Sequence, residues 1–427
     1  MSDIRLSIPT GPVDAHISVP GSKSIANRAL VCAMLAEGNS AIQGLPDGDD
    51  TQVLVDALFE TKCLFHIDEA AVSIDGGSAS RLPTIIDARL AGTTSRFVTA
   101  IAALSDATTI IDGQDALRAR PMSDLHDALQ SMGAEITALG EPGHLPVSVT
   151  RGALRGGGVT IRGDVSSQFI SALMLIAPVL EEGLHITIDG PLVSRSYVQL
   201  SSAVMEEFGA TVVVAEQEIT VPHTGYDPIL FSVEPDFSSA AFPVVAAVLR
   251  GGTVRVKKLA QSTEQGDATI IDIVRTMGAE CVIDGDDIVV HSKNPHELTP
   301  LSLNMNDCSD LVPVVAVLCA CAKGTSELTG VGFIRNKESD RLGDVALELT
   351  KCGIDVEVLP DGLRIVGGTP RGAVIDTHHD HRVAMAFSVL SAVADGMVIQ
   401  NADVVSKSWP KFYADMSSIL GPMAQEN

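Results

Sequence analysis

One short phrase recurs six times along the chain, and it limits the possible fold more than any other feature. A small or charged residue is followed by Gly or Ala and then by an alternating apolar strand. The copies read AEGNSAIQGL from Ala36, SDATTIIDGQ from Ser105, EEGLHITIDGP from Glu181, RGGTVRVKKL from Arg250, AKGTSELTGV from Ala322 and ADGMVIQNAD from Ala394. Successive starts lie 69, 76, 69, 72 and 72 residues apart, so six copies fill the 427 residues. A regular period of this length marks a repeat architecture. One copy is too short to close a core alone, so the copies must pack on one another.

Within each copy the order of elements is also legible. An apolar run rich in Ala, Leu and Val precedes the phrase: RALVCAMLA, FVTAIAAL, FISALMLIAPVL, AAFPVVAAVL, LVPVVAVLCACA and AMAFSVLSAVA. These runs have the length and composition of buried helices. After the strand comes a loop, a second helix and a Gly-containing stop, with Gly133, Gly209, Gly278 and Gly353 placed for a left-handed cap. The first copy lacks that Gly (ETKCLFHID), and the last is truncated at SSILGP. Each copy therefore reads as a βαβαββ element. Three copies per domain give an α/β (α+β) protein of two domains, with a switch near Val233–Asp236. The expected domains are 1–17 with 235–427, and 18–234, the N-terminal strand pairing back into the part of the chain after the switch.

Charge narrows the function. Asp and Glu outnumber Lys and Arg 54 to 29, for a formal charge of −25. Such a surface repels polynucleotides and anionic lipids. One Trp, three Tyr and eleven Phe leave little for base stacking. Seven scattered cysteines without a CxxC pair read as reduced thiols. With no leader-like N-terminus and no apolar stretch near the roughly 18–20 residues of a membrane span, a cytoplasmic protein is expected. The few cations recur in phase after the first strand of the copies: Arg118 and Arg120, Arg195, Lys257 and Lys258, then Arg335, Lys337 and Arg341, then Lys407 and Lys411. These loops lead into helices, whose N-termini already favour anions. Anionic small molecules are the ligands this pattern suits.

Individual segments sharpen that reading. Pro20-Gly21-Ser22-Lys23-Ser24 with Arg28 resembles a phosphate loop but is not the nucleotide motif. Ala91-Gly92-Thr93-Thr94 opens another helix ahead of Arg96, and Ser166-Ser167-Gln168 opens a third with short polar donors. In Lys337-Glu338-Ser339-Asp340-Arg341 a helical spacing would bring Lys337, Glu338 and Arg341 together. His378, His379 and His381 do not have the spacing of a zinc motif, and no second cluster completes one. Neither a nucleophile elbow nor a cysteine in a basic loop is present.

Taken in order, these motifs resemble the enolpyruvyl transferases. The resemblance spans almost the whole chain and rests on PGSKSIANR at 20–28, LAGTTSR at 90–96, RARP at 118–121, DVSSQF at 164–169, VSRSY at 193–197, KESDRL at 337–342, DHR at 380–382 and SKSWP at 406–410. It implies an inside-out α/β barrel of two domains with ligands in the cleft between them, and domain closure on binding. It also implies transfer of the enolpyruvyl group of phosphoenolpyruvate to the 5-hydroxyl of shikimate 3-phosphate by addition and elimination. A monomer without metal or organic cofactor is expected.

Residue by residue, the resemblance assigns Lys23, Gly92, Arg120, Gln168, Arg341, Arg382 and Lys407 to phosphoenolpyruvate. It assigns Lys23, Ser24, Arg28, Ser166, Ser167, Gln168, Ser194, Tyr197, Asp310 and Lys337 to shikimate 3-phosphate. Asp310 is the expected base on the attacking hydroxyl, Glu338 the acid to the methylene carbon, and Lys23 a second proton carrier. Two carboxylates in different protonation states suit that chemistry. Gly92 would keep the phosphoenolpyruvate pocket roomy, implying sensitivity to glyphosate. The chain departs from the family pattern at Leu90, Phe97 and Phe333, none of which is an assigned acid, base or arginine. Two rivals carry less: a sibling acting on UDP-N-acetylglucosamine would present a cysteine near Ala116–Arg120, and a non-catalytic anion-binding repeat protein would not need Asp310 and Glu338.

Overall fold

The computed structural model describes residues 3–60, 64–67, 71–77, 82–260, 262–295 and 297–426. The chain divides into two compact units, Met1–Pro20 with Pro235–Asn427, and Gly21–Glu234. The first crossing thus falls after Pro20 rather than at residue 17. Asp236 N donates to Pro20 O at 2.9 Å and holds Val19 and Pro20 with the strand before them.

All six recurring phrases form strands, at Asn39–Gln43, Thr109–Asp112, Leu184–Asp189, Gly252–Val256, Thr325–Thr329 and Met397–Ile399. Each lies in its own four-stranded sheet, three sheets to a unit. In the third copy, Gly157–Arg162 pairs parallel with Leu184–Asp189, which pairs antiparallel with Glu218–Val221. Val213–Val214 closes the edge. Burial alternates along Leu184–Asp189, so one face meets the core and the other meets water. None of the sheets closes into a barrel.

The apolar runs are helices, and they lie innermost. In one unit these are Lys23–Leu35, Gly92–Ala102 and Ser167–Ile176; in the other they are Phe237–Arg250, Val312–Cys319 and His381–Leu390. Every residue of the last three except Arg250 is buried. A helix apolar on all sides must be covered on all sides, and their alanines let neighbouring backbones approach. Each unit owns a separate apolar core built on its three helices. The outer helices end where the glycines were expected to stop them, Gly133, Gly209, Gly278 and Gly353 having φ of 104°, 82°, 113° and 84°. A side chain there would cost roughly 1–2 kcal/mol against the left-handed backbone.

Two strands are exchanged between copies. Val13–Ile17, ahead of the first inner helix, pairs with Gly252–Val256, while Leu230–Ser232 pairs with Asn39–Gln43. The truncated sixth copy lacks one hairpin strand, and Asp3–Leu6 supplies it between Met397–Ile399 and Met423–Glu426. The corresponding stop in the first copy lies partly outside the described residues. No helix among the described residues is long and apolar enough to cross a membrane.

Candidate active site

In the unit Gly21–Glu234, the N-terminal ends of the three inner helices carry the residues that the motifs single out. Ser22 caps the first, accepting from Ile25 N at 3.5 Å, and Ser166 caps the third, accepting from Gln168 N at 3.3 Å. Lys23 Nζ reaches the buried Asp50 Oδ2 at 2.8 Å. Gly92 is the first residue of the second helix. A Cβ on it would overlap the Nη1 atoms of both Arg96 and Arg120. The missing side chain therefore leaves two guanidinium ends beside the backbone.

Arg28 is fully buried, yet its four described hydrogen bonds all end on neutral oxygens. Nε donates to Ser201 Oγ at 2.8 Å, Nη1 to Ser24 O at 2.7 Å, and Nη2 to Ser171 Oγ at 3.1 Å and Tyr197 O at 3.2 Å. The rings of Phe97 and Tyr197 lie 5.5 and 5.9 Å from its Cζ. Burial pulls its pKa down to about 10, the Tyr197 and Cys32 environments opposing this only in part. Tyr197 sits on the helix Arg195–Glu207, entered through Ser194 at a left-handed φ of 52°. Ser24, Arg28 and Tyr197 are thus gathered in one cluster, to which the sequence reading had not added Ser171 and Ser201.

The other unit repeats the arrangement with acids. Asp236 caps Phe237–Arg250, accepting from Ser238 N at 3.0 Å, and Asp380 caps His381–Leu390, accepting from Arg382 N at 2.8 Å. Asp310 lies in the 3-10 turn Asn306–Leu311 that leads into Val312–Cys319. Arg341, 1% exposed, gathers three carboxylates: Nε to Asp380 Oδ2 at 2.7 Å, Nη1 to Asp310 Oδ1 at 2.8 Å and Nη2 to Glu338 Oε2 at 2.9 Å. Arg382 Nη2 binds Asp310 Oδ2 at 2.9 Å and Ser238 Oγ at 3.1 Å. Lys407 Nζ reaches Glu338 Oε1 at 3.1 Å, and Lys337 Nζ lies 3.6 Å from Asp310 Oδ1. Asp310, Glu338, Lys337, Arg341, Arg382 and Lys407 therefore form one network.

Opposing forces act on its charges. Burial alone would push the Asp310 carboxyl up, but Arg382, Lys337 and Arg341 together hold it well below the usual carboxylate range. Burial would likewise lower Arg341, and Asp380, Glu338 and Asp310 overcome it to hold the guanidinium charged. A buried charge is tolerated when it is paired and hydrogen-bonded, and here each is.

Two expectations need correction. The segment from Lys337 to Asp340 is not helical; it bends between the 3-10 turn Gly332–Asn336 and the helix Gly343–Lys351. Asp340 Oδ1 accepts from Leu342 N at 3.1 Å and Gly343 N at 2.9 Å, so the helix starts after the motif. The Glu338–Arg341 pair forms across this bend. Nor do all the in-phase cations join the network. Arg118 pairs with Asp112 at 2.8 Å, Arg335 with Asp340 at 3.1 Å, and Arg195 donates to Ala215 O at 2.7 Å. Lys257 and Lys258 are exposed.

Among the described residues no group of three or more His, Cys, Asp or Glu side chains is placed to hold a metal ion. Burial pushes the thiols of Cys32, Cys308, Cys319, Cys321 and Cys352 up to about 12, leaving them poor nucleophiles. Asp236, Asp380 and Asp50 were not assigned roles from the sequence. An aspartate just before an apolar run is a helix-cap signal, which could have flagged the first two.

A family model described as EPSP synthase (3-phosphoshikimate 1-carboxyvinyltransferase) matches residues 8–416. Proteins named 3-phosphoshikimate 1-carboxyvinyltransferase are similar over nearly the whole length. That of Methanothermobacter thermautotrophicus is 39% identical, the match covering 96% of this chain and 97% of its relative. That of Nostoc punctiforme is 33% identical, covering 98% and 100%. A solved EPSP synthase structure from Acinetobacter baumannii superposes with a TM-score of 0.81 at 25% identity, covering 100% of both chains.

Proposed function

The chain belongs to the EPSP synthase (3-phosphoshikimate 1-carboxyvinyltransferase) family, and from that membership we propose which residues carry its reaction. The enzyme transfers the enolpyruvyl group of phosphoenolpyruvate to the 5-hydroxyl of shikimate 3-phosphate, giving 5-enolpyruvylshikimate 3-phosphate and phosphate. The observation that carries the residue assignment is the network in which Arg341 holds both Asp310 and Glu338.

Glu338 delivers a proton to the methylene carbon of phosphoenolpyruvate as the 5-hydroxyl oxygen bonds to the neighbouring carbon. Asp310 takes the hydroxyl proton. Elimination then breaks the bond from that carbon to the phosphate oxygen, and the Glu338 carboxylate left by the first step takes back a methyl proton, which restores the double bond. Lys23 is the second proton carrier. Arg120, Arg341, Arg382 and Lys407 hold the carboxylate and phosphate of phosphoenolpyruvate, and Gly92 and Gln168 are assigned to the same substrate. Ser24, Arg28, Ser166, Ser167, Ser194, Tyr197 and Lys337 hold shikimate 3-phosphate. In the free protein Asp310 is a weak base because three cations face it. An anionic substrate that takes up those cations raises its basicity, coupling binding to the onset of chemistry.

The test is phosphate release from phosphoenolpyruvate with shikimate 3-phosphate, with UDP-N-acetylglucosamine or with no acceptor. Release should depend on shikimate 3-phosphate and fall about 100-fold or more in Glu338→Gln and in Lys23→Met, the usual range for a lost proton carrier. Variants that keep full rate would remove those two residues from the mechanism. We further propose a cytoplasmic monomer that needs no cofactor. Sedimentation of the purified chain, and full activity after chelation, test the assembly state and the cofactor requirement.

A further inference from the structure

His378 and His379 have φ of 49° and 57°, two consecutive non-glycine residues in the left-handed region. L side chains avoid that backbone, so it persists only where other contacts hold it. Three contacts do so. His378 N donates to Asp376 Oδ1 at 2.8 Å, Asp380 N donates to Thr377 O at 2.8 Å, and the His378 ring Nε2 lies 2.8 Å from Glu348 Oε1. Glu348 is wholly buried on the helix Gly343–Lys351. Its carboxylate also accepts from Lys351 Nζ at 2.8 Å and Asp376 N at 3.3 Å. Asp344, on the same helix, places Oδ1 3.6 Å from the other ring nitrogen. The ring therefore ties a strained turn to a helix.

That turn delivers Asp380, the carboxylate that holds Arg341 Nε at 2.7 Å and caps the helix at Arg382 N. We infer that His378 is a positioning residue for phosphoenolpyruvate binding: its hydrogen bond to Glu348 fixes the turn, the turn fixes Asp380, and Asp380 fixes Arg341 and Arg382. The inference rests on the arginine assignment above. Releasing the ring lets His378 and His379 relax toward ordinary backbone, which moves Asp380 relative to both arginines. The effect falls on phosphoenolpyruvate, because most residues assigned to shikimate 3-phosphate lie in the other unit.

Steady-state kinetics on three variants test this. His378→Ala should raise KM for phosphoenolpyruvate about tenfold while KM for shikimate 3-phosphate changes less than twofold. His378→Gln, whose amide nitrogen can stand where Nε2 stands, should recover most of the loss. His378→Asn tolerates the left-handed backbone but is too short to reach Glu348, so the turn loses its tie to the helix without a backbone penalty at 378, and KM for phosphoenolpyruvate should still rise, by less than in the alanine variant. An unchanged KM for phosphoenolpyruvate in His378→Asn, or equal rises in both KM values without recovery in His378→Gln, overturns the inference. A parallel Arg341→Lys variant separates the levels. If it leaves KM for phosphoenolpyruvate unchanged, the arginine assignment itself fails.

Discussion

The three inner helices of the unit Gly21–Glu234 open on hydroxyls, a glycine and an amide, whereas in the other unit aspartates cap two of the inner helices and Asp310 stands in the turn that leads into the third. The scaffold offers the same thing six times, the start of a buried inner helix. What differs is how the nearby cations are supported. Around Arg341 the cations Lys337, Arg341, Arg382 and Lys407 meet Asp310, Glu338 and Asp380 directly. Asp236 joins them through Ser238. Around Arg28 the charge is solvated by seryl and backbone oxygens alone among its described bonds. One cluster is electrically satisfied before any ligand arrives; the other is arranged to gain most from an anion. A repeat can thus be specialised by a few side chains at its helix starts, with the packing beneath unchanged.

The contrast can be broken most severely at Asp380. Asp380→Ala leaves Arg341 buried with one carboxylate fewer and should destabilise the protein by about 3–5 kcal/mol, as breaking a buried pair does. Urea unfolding measures this, and a loss below 1 kcal/mol would mean the network is not held as a unit. Arg28→Met should behave oppositely. Removing a buried cation that has no carboxylate among its described bonds should change stability by no more than about 1 kcal/mol, the desolvation relieved offsetting the hydrogen bonds lost. Affinity for shikimate 3-phosphate, read by calorimetry, should fall roughly 100-fold for two charge-assisted bonds. Equal destabilisation in the two variants would erase the distinction.

Gly92→Ala is the milder probe. Its methyl displaces the ends of Arg96 and Arg120, so KM for phosphoenolpyruvate should rise roughly tenfold, an overpacking effect of about 1–1.5 kcal/mol. Glyphosate inhibition should weaken at least as much; inhibition unchanged would place Gly92 elsewhere. The smallest effect is in pH dependence. Asp310 has its folded pKa below the unfolded value, so its contribution is complete above the unfolded pKa and is lost as pH falls through the folded one. The stability difference between the wild type and Asp310→Asn should be flat from pH 5 to 8 and shrink below about pH 4. A difference that shrinks already at pH 6 would show the cations do not hold Asp310 as described.

Much of this arrangement was legible in the sequence because it is local. Apolar runs without a polar face announce inner helices, and Gly133, Gly209, Gly278 and Gly353 announce left-handed stops. The strand exchange was harder, since Val13–Ile17 carries no mark of pairing with residues some 240 positions away. In the site, the motif residues could be named, but Arg341 as the hub of three carboxylates could not, because hydrogen bonding between distant copies leaves no spacing to read. Helical spacing misled at Lys337–Arg341, where a bend satisfies the same three-residue separation and Asp340 starts the helix later. The left-handed turn at His378 was hidden because histidine does not announce that backbone as glycine does.

The N-terminal strand has a consequence for how the protein is made. Asp3–Leu6 is synthesised about 400 residues before its neighbours Met397–Ile399 and Met423–Glu426. At about 5–20 residues per second on the ribosome, that strand waits roughly 20–80 s for its partners. Gly21–Glu234, by contrast, is one uninterrupted segment with its own core and can fold while the rest emerges. The order of synthesis thus makes the unit with Arg28 first and the acid-bearing network last, its sixth sheet waiting for Met423–Glu426 to join Asp3–Leu6.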